Sequence, residues 1–295
     1  MKLTPTVLLF FLLPPLLFYL TFVFIPILLS FSTALLDWNG IAQPKWNGLK
    51  NYSDLLFHDP LFWITVKRNV VFALFSMSEI PIAFLLAAVL SRYFKNGQRI
   101  VAALFFPVIL SVVVVGQLWK TIYNPLSRGG LLNHILSLLH LEHLTRAWLA
   151  DPKVAMYALY LVALWQYLGY HVLIQFTGIQ NIPREFQEAA TIDGANGYQV
   201  IRNIIFPLTM PFFKISFVLA FIGSLQAFDL IMVMTGGGPA HATEVMSTYM
   251  YNMSFDSQRY GYGSAIASLL VLFSLLATLI LNAFFGRIER RYDLH

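Results

Sequence analysis

The sequence predicts an all-α membrane protein with six transmembrane helices and a cytoplasmic helical loop between the fourth helix and the fifth. Three observations support this fold class. Hydrophobic residues make up 58% of the 295 residues and charged residues only 11%, with a mean hydropathy of +0.68, far outside the range of soluble globular domains. Long apolar runs recur along the chain. One polar segment, 181–211, interrupts them between the fourth run and the fifth.

Six apolar runs are long enough to cross a bilayer, since a spanning helix needs about 20 apolar residues. They cover residues 7–32, 69–90, 100–123, 154–178, 212–234 and 263–285. The first run carries no charge, is too long for the core of a signal peptide and has no clear small-residue cleavage site after it, so we expect an uncleaved span. Together the six runs predict one transmembrane domain over residues 1–295.

Basic residues beside the spans indicate the orientation. Three lie in the short connection between the second run and the third, and three arginines follow the sixth run. They are Arg92, Lys95, Arg99, Arg287, Arg290 and Arg291. Short connections rich in Lys and Arg stay on the cytoplasmic side, so we predict that both termini and the 181–211 segment are cytoplasmic. The net charge of +5 fits this rule better than nucleic-acid binding, because no basic patch interleaved with aromatic residues occurs outside the spans.

The polar segment predicts a helix, a sharp turn and a second helix. Pro183 suits the first position of a helix, and Ala189 and Ala190 favour helix formation. Gly194 supplies the left-handed residue at which many helices end. We therefore expect the turn at Gly194.

The second helix of the polar segment follows Asn196, which can cap it, and Pro207 is expected to end it. An apolar stripe runs along this helix. It consists of Val200, Ile201, Ile204 and Ile205. Such a stripe can lie along a membrane surface or pack against neighbouring helices, and the sequence leaves both possibilities open.

The spacing of Glu188-Ala189-Ala190, Gly194, Ile204 and Pro207 closely resembles the EAA loop of permease subunits of bacterial binding-protein-dependent ABC importers. The resemblance implies a coupling helix that sits in a cleft of an ATPase subunit. The residues to which it gives this role are Glu188, Ala189, Ala190, Asp193, Gly194 and Ala195. Small residues leave room for another protein, and carboxylates can bind its Arg or Lys side chains. The alternative is a solvated connecting loop.

Two further motifs resemble the carbohydrate-uptake branch of these permeases. One is the Gly-Leu-x-Asn-Tyr stretch that begins at Gly48, and the other is the Thr-x-Gly-Gly-Pro pattern that begins at Thr235. The second motif is glycine-rich and so permits positive φ angles. It lacks the Gly-Lys-Ser/Thr ending of a phosphate-binding loop, so we do not expect this chain to bind nucleotide.

Polar residues within the spans are candidates for a substrate path, because unpaired polar groups are costly in hydrocarbon and usually face a partner or a cavity. The candidates, with neighbouring aromatic residues that suit a sugar ring, are Gln117, Trp165, Gln166, Ser224, Gln226, Phe228 and Asp229. The alternative is that they only join helices to one another. Glu79 is expected to be a structural or inter-subunit partner rather than a ligand of a neutral solute.

Neither a catalytic set nor a metal site is predicted. His134, His140, Glu142 and His143 are close in sequence, but their spacing matches no metal motif. The chain has no cysteine, which excludes disulfides, thiolate metal sites and a cysteine nucleophile. We therefore expect a transport subunit that takes its energy from elsewhere.

The family resemblance implies the function: a permease subunit of an ATP-driven sugar importer, for an oligosaccharide or polyol, in the bacterial cytoplasmic (inner) membrane. The maltose-type and glycerol-phosphate-type permeases are the similar subunits. The implied partners are a second homologous permease, two ATPase subunits, an external solute-binding protein, a carbohydrate and the lipid bilayer, but no nucleic acid. No cofactor is expected on this chain, and ATP and Mg are expected at the ATPase subunits.

Three alternatives stay open at this point. A secondary transporter or channel would need no ATPase, but the sequence has no obvious inverted repeat and no central set of ionisable residues for ion coupling. An importer of glycerol phosphate would need cationic groups along the path, and the spans offer no Lys or Arg near their middle. A membrane enzyme would need an acid, base or metal set that is not found.

Overall fold

A computed structural model describes residues 5–125 and 130–291. Within these ranges the secondary structure is helical apart from two strands of two residues each, which confirms the all-α class. The two ends of the chain, 1–4 and 292–295, lie outside the described residues, as does the segment 126–129.

The first part of the chain contains two helices, a small hairpin and a long helix. The elements are α1 (Pro5–Tyr19), a π-helical turn (Leu20–Phe24), α2 (Ile25–Thr33), β1 (Leu36–Asp37), β2 (Lys45–Trp46), α3 (Lys50–Ser53), a second π-helical turn (Asp54–His58) and α4 (Pro60–Tyr93). The strands are antiparallel, with Leu36 opposite Trp46 and Asp37 opposite Lys45.

The rest of the chain is helical, with short connections. The elements are α5 (Gly97–Ile109), α6 (Val112–Ile122), α7 (Leu131–Leu138), a 3₁₀ turn (Glu142–Leu144), α8 (Ala155–Gln180), α9 (Arg184–Ile192), α10 (Gly197–Val200), a π-helical turn (Ile201–Ile205), α11 (Phe206–Leu208), α12 (Met210–Leu225), α13 (Phe228–Met234), α14 (Met246–Tyr251), a π-helical turn (Asn252–Asp256) and α15 (Tyr260–Arg291).

Four helices in the described part of the chain are long and apolar enough to cross a membrane: Phe10–Thr33, α4, α8 and Tyr260–Ile288. Two bent pairs raise the number to six if each pair is one span. The pair α5 and α6 bends by 92°, and the pair Gly197–Leu208 and α12 bends by 66°.

The third apolar run is therefore two helices rather than one straight helix. Leu110 and Ser111 have extended backbone conformations, with ψ angles of 141° and 143°. The Ser111 hydroxyl then accepts a hydrogen bond from the Val114 amide at 3.3 Å and caps α6. Hydropathy did not reveal this break because both helices are apolar.

The fifth apolar run is also interrupted. Helix α12 ends at Leu225 and α13 begins at Phe228, so that Gln226 and Ala227 form a break inside the run. The Gln226 amide donates to the Ile222 carbonyl at 3.2 Å, and the Phe228 amide donates to the Gln226 carbonyl at 2.7 Å. The helical hydrogen-bond ladder is thus locally replaced by a tight turn.

The chain divides into two compact units. The first contains the chain up to Thr65 together with Tyr249–Phe273. Inside it, the Asn51 side chain donates to the carbonyl oxygens of Ala34 and Leu36, each at 2.9 Å. The carboxylate of Asp59 accepts hydrogen bonds from two tyrosines, Tyr249 at 2.5 Å and Tyr262 at 2.6 Å. These bonds fix the connection between α2 and α4.

The second unit contains Val66–Thr248 and the chain from Ser274 onward. Its first apolar core is built from α4, α5, α8 and the α10–α12 region, and includes Ile80, Val101, Val172, Phe176, Val200, Ile205 and Phe213. Its second apolar core is built from α4, α6, α8 and α13, and includes Phe72, Val115, Leu159, Val162 and Ile231. Helices α5 and α8 approach closely at Gly169, because a Cβ there would collide with the Leu104 carbonyl oxygen.

Candidate functional site: the 183–211 loop and an internal cavity

The first helix of the 183–211 loop is α9, and it ends as the sequence predicts. Gly194 has a φ of +82°. Its amide donates to the Thr191 carbonyl at 3.1 Å, and the Ala195 amide donates to the Ala190 carbonyl at 2.9 Å. These two bonds form a Schellman motif, which satisfies carbonyl groups that the end of a helix leaves free. At the other end, Pro183 is the N-cap rather than the first helical residue, and Arg184 begins the helix.

The second helix of the loop begins with a capping box. The Asn196 side chain accepts from the Gln199 amide at 2.9 Å, and the Gln199 side chain accepts from the Asn196 amide at 2.7 Å. The predicted cap at Asn196 is confirmed. The loop is therefore a specified hairpin of two helices whose turn is held from both sides.

The expectation that Pro207 ends the second helix is wrong. Pro207 is the second residue of α11, where its missing amide costs little, and the helical path continues to Leu208. The bend lies at Thr209, whose hydroxyl donates to the carbonyl oxygens of Ile205 at 2.9 Å and Phe206 at 3.1 Å. These bonds satisfy carbonyl groups at the bend between α11 and α12.

The apolar stripe of the second helix packs against neighbouring helices. Val200 is 0% exposed and Ile205 is 1% exposed, and both belong to the first apolar core. Ile201 packs against the same core. The structure thus decides between the two positions that the sequence left open for this stripe.

The six residues that resemble the coupling helix divide between an outer and an inner face. Glu188, Ala189, Asp193 and Gly194 are exposed. Ala190 and Ala195 are half-buried and pack against the first apolar core. In the described part of the chain, neither the Glu188 nor the Asp193 carboxylate has a hydrogen bond or an ion pair. The outer face therefore presents free carboxylates beside small residues.

Exposed apolar side chains extend this outer face. Phe186 is 54% exposed, Ile192 is 85% exposed and Tyr198 is 67% exposed. Gln187, Glu188, Thr191 and Ile192 border a shallow depression on it. An exposed apolar patch with a polar rim is typical of a surface that another protein covers.

A partly open cavity of about 230 Å³ lies in the second unit beside α4, α8 and the α12–α13 break, and Gln226 and Asp229 in its wall are exposed. Its polar and aromatic lining residues are Phe72, Ser76, Glu79, Tyr167, Tyr170, His171, Ser224, Gln226 and Asp229. Aromatic faces beside hydroxyl, amide and carboxyl groups are the combination by which proteins bind sugars. Two of these polar side chains come from the break and the start of α13: Gln226 and Asp229.

Three of the seven candidate path residues line this cavity: Ser224, Gln226 and Asp229. The other four do not. Gln117 is exposed and Phe228 is half-buried. Trp165 is 38% exposed and packs edge-on against Trp119. Gln166 is 1% exposed, and its Oε1 has no hydrogen-bond partner among the described residues. Tyr170 and His171 also line the cavity but are not among the residues predicted from the sequence, although a histidine within an apolar span is itself a signal of function.

The loop that begins at Thr235 is tightly held. Gly236 and Gly237 have φ angles of +60° and +86°, as the glycine-rich pattern predicts. The hydroxyl groups of Thr235 and Thr243 lie 2.7 Å apart, and Thr243 also donates to the Gly238 carbonyl at 2.6 Å. Arg68 of α4 donates to the carbonyl oxygens of His241 and Glu244. The Arg68 bonds anchor the loop to the first third of α4.

Comparison with known proteins gives one consistent family. The family model described as Binding-protein-dependent transport system inner membrane component matches residues 3–294. The Probable ABC transporter permease protein YurN of Bacillus subtilis (strain 168) is 37% identical over 275 residues, which cover 92% of this chain and 93% of that protein. The Trehalose/maltose transport system permease protein MalF of Thermococcus litoralis is 31% identical over 280 residues, which cover 94% of this chain and 92% of that protein.

A solved structure has the same fold. It is a chain of a bacterial ABC transporter involved in the import of the acidic polysaccharide alginate. The two chains have a TM-score of 0.82 and 24% sequence identity, and the alignment covers 96% of each.

Proposed function

Because this chain belongs to the family of binding-protein-dependent transport system inner membrane components, and is thus a multi-pass permease subunit of an ABC importer, we propose that it carries a carbohydrate across the membrane. The carbohydrate is an oligosaccharide or a polyol, and this chain forms half of its path. The internal cavity carries the proposal, since Ser224, Gln226 and Asp229 line it together with two tyrosines. A relative that transports trehalose or maltose supports the substrate class.

The proposed coupling element is the outer face of α9, in agreement with the EAA resemblance. Its carboxylates have no partners among the described residues and are available to Arg or Lys of an ATPase subunit. Its inner face packs on the first apolar core through Ala190 and Ala195. Movement of an ATPase can thus reach α5, α8 and α12 through side chains that are already in contact.

The proposed assembly contains this chain, a second homologous permease, two ATPase subunits that hold ATP and Mg, and an external solute-binding protein. This chain spans the membrane six times: the four long apolar helices, the bent pair of α5 and α6, and α12 with α13 as the fifth crossing, so that Gly197–Leu208 stays outside the spans. Both termini and the 181–211 loop are cytoplasmic, because the short basic connection between α4 and α5 is expected to stay inside.

A neutral sugar fits the cavity better than glycerol phosphate. Among the described residues that line it, none is Lys or Arg, whereas two carry carboxyl groups. A phosphate would lie beside these two carboxyl groups without a Lys or Arg partner, which is unfavourable. The carboxyl and hydroxyl groups instead suit the hydroxyl groups of a sugar.

Filling the cavity tests the proposal. A Cβ at Gly223 meets nothing within 4 Å, so Gly223→Phe can place a ring in the cavity without a backbone collision. We expect this variant, in proteoliposomes with all partner subunits, to lose most ATP-dependent uptake of labelled maltotriose while its yield and assembly stay normal. Gly286→Phe, also in open space, is the matched control. Normal uptake by Gly223→Phe would show that the solute takes another path.

A further inference from the structure

Two ionisable side chains on different helices line the cavity and are almost fully buried. Glu79 of α4 is 1% exposed and His171 of α8 is 3% exposed. In the part of the chain that the structure describes, Oε2 of Glu79 and Nδ1 of His171 have no hydrogen-bond partner. Buried polar atoms without partners are costly and rare in folded proteins. Because Glu79 and His171 line the cavity, a solute within it can supply the missing partners.

Gln175 shows what a structural polar residue looks like on the same helix. It lies one turn after His171 and is 0% exposed. Its Nε2 donates to the Ser216 hydroxyl at 3.0 Å and to the Phe212 carbonyl at 3.3 Å, which joins α8 to α12, whereas its Oε1 has no partner among the described residues. Gln175 is not among the residues that line the cavity. Glu79 and His171, by contrast, make no side-chain hydrogen bond within residues 5–125 and 130–291, so interhelical bonding does not account for them.

We infer that Glu79 and His171 are solute-contacting residues, whose free Oε2 and Nδ1 exchange hydrogen bonds with hydroxyl groups of the carried saccharide. The inference rests on the proposed function. A hydroxyl group both donates and accepts, so it can bind a carboxyl oxygen and either tautomer of the imidazole. This role for Glu79 replaces the structural or inter-subunit role that its position in an apolar span predicts.

The same lining selects among saccharides by charge. A uronic acid would bring a carboxylate next to Glu79 and Asp229, and none of the described lining residues is a Lys or Arg that could pair with it. Neutral sugars avoid this cost, and an amino sugar brings an ammonium group that either carboxyl can accept. Neutral and amino saccharides should therefore bind, and uronic saccharides should not.

Because this chain has no cysteine, a cysteine introduced into it is its only thiol, and the complex with the unchanged chain serves as the labelling blank for the partner subunits. Ser76 lines the cavity, so Ser76→Cys in the complete transporter, without the binding protein, should react with a small methanethiosulfonate. Maltotriose and chitosan trisaccharide are expected to protect this thiol, and trigalacturonate is not. Ser78→Cys is the matched control, because Ser78 is exposed on the same helix and is not among the residues that line the cavity.

The role of each residue is then measured in the Ser76→Cys background. Glu79→Leu and His171→Leu should each raise the half-protecting concentration of maltotriose about tenfold, as loss of a buried hydrogen bond does. Glu79→Gln keeps the shape and part of the hydrogen bonding, so it should assemble and show a smaller rise, about threefold. Gln175→Leu is expected to leave the half-protecting concentration unchanged while lowering the thermal stability of the complex.

The outcomes separate this inference from the proposed function. If maltotriose protects the Ser76→Cys thiol of the Glu79 and His171 variants at the same half-protecting concentration as in the Ser76→Cys background alone, the inference is wrong and the proposed function stands. It is also wrong if a complex that takes up either saccharide shows no protection at Ser76→Cys, or if trigalacturonate protects as well as maltotriose. If the wild-type complex takes up no saccharide at all, the proposed function itself fails.

Discussion

Asn69 holds the break between α12 and α13 through the backbone of Ser224: its Nδ2 donates to the Ser224 carbonyl oxygen at 3.3 Å. The Oδ1 of the same side chain accepts from the Met246 amide at 2.8 Å. Asn69 is 1% exposed, so both bonds are made away from solvent. A single amide on α4 thus connects a wall of the cavity to the beginning of α14.

Asn69→Leu is expected to destabilise the protein and to impair uptake. It leaves two buried backbone groups without their partner, at about 1–3 kcal/mol for each. The thermal unfolding midpoint of the detergent-purified complex should fall clearly below that of wild type. Asn181→Leu, at an exposed position, is the control and should leave the midpoint nearly unchanged. An unchanged midpoint in Asn69→Leu would show that these bonds contribute nothing.

Glu188→Lys should weaken the association with the ATPase without affecting the fold. The Glu188 carboxylate is exposed and has no partner among the described residues, so its loss leaves no internal group unpaired. We expect the ATPase subunit to co-purify with the wild type and to be lost or strongly reduced with the variant. Glu142→Lys, on the 3₁₀ turn between α7 and α8, is the charge-matched control. Equal recovery of the ATPase from both variants would contradict the coupling role.

Substitutions at Gly194 can distinguish the cost of backbone strain from a collision with a partner protein. A non-glycine residue at φ +82° costs about 1–2 kcal/mol, and Asn tolerates this region better than most residues. A Cβ at Gly194 meets nothing within 4 Å, so a larger side chain collides only with a partner. Gly194→Glu should abolish ATP-dependent uptake, and Gly194→Asn should retain part of it, with normal membrane insertion in both. Full transport by Gly194→Glu would remove this loop from the mechanism.

The pair of Tyr249 and Asp59 predicts a loss of stability at alkaline pH. Burial, and then the hydrogen bond to Asp59, raise the pKa of Tyr249 above its ordinary value of about 10. The bond stabilises the folded state fully below the unfolded pKa, and this contribution falls as the pH rises above it. Unfolding midpoints from about pH 8 to about pH 11 should therefore fall more steeply for wild type than for Tyr249→Phe.

The control for this pH dependence is Tyr157→Phe, because Tyr157 is 63% exposed. Its midpoints should follow those of wild type over the same pH range. If Tyr249→Phe also follows wild type, the tyrosine does not govern the alkaline transition.

The helical hairpin at 183–211 could be predicted because its geometry is local. Gly194 and Asn196 form their hydrogen bonds with residues at most a few positions away, so the sequence alone contains both partners. The position of Pro207 was harder to predict, since a proline is tolerated at the start of a new helical segment as well as after the end of an old one.

The cavity could be predicted only in part, because its residues meet through tertiary packing. In a span that is apolar on all sides, composition does not say which face a polar residue occupies, and Gln117 and Trp165 are not among the residues that line the cavity. The break at Gln226 depends on Asn69, which is 157 positions earlier in the chain. Glu79 and His171 could have been selected together, because both are ionisable residues inside apolar spans.

The Schellman motif at Gly194 is followed directly by the capping box at Asn196, so no unbonded linker residue separates the two helices of the hairpin. The amides of Gly194 and Ala195 are bonded to the end of α9, Asn196 and Gln199 are bonded to each other, and Ala190 and Ala195 pack on the first apolar core. A force on the outer face of α9 would therefore move the two helices together instead of bending the turn between them. Insertion of even one residue into the turn would break these hydrogen bonds and so uncouple α9 from the helix that follows it.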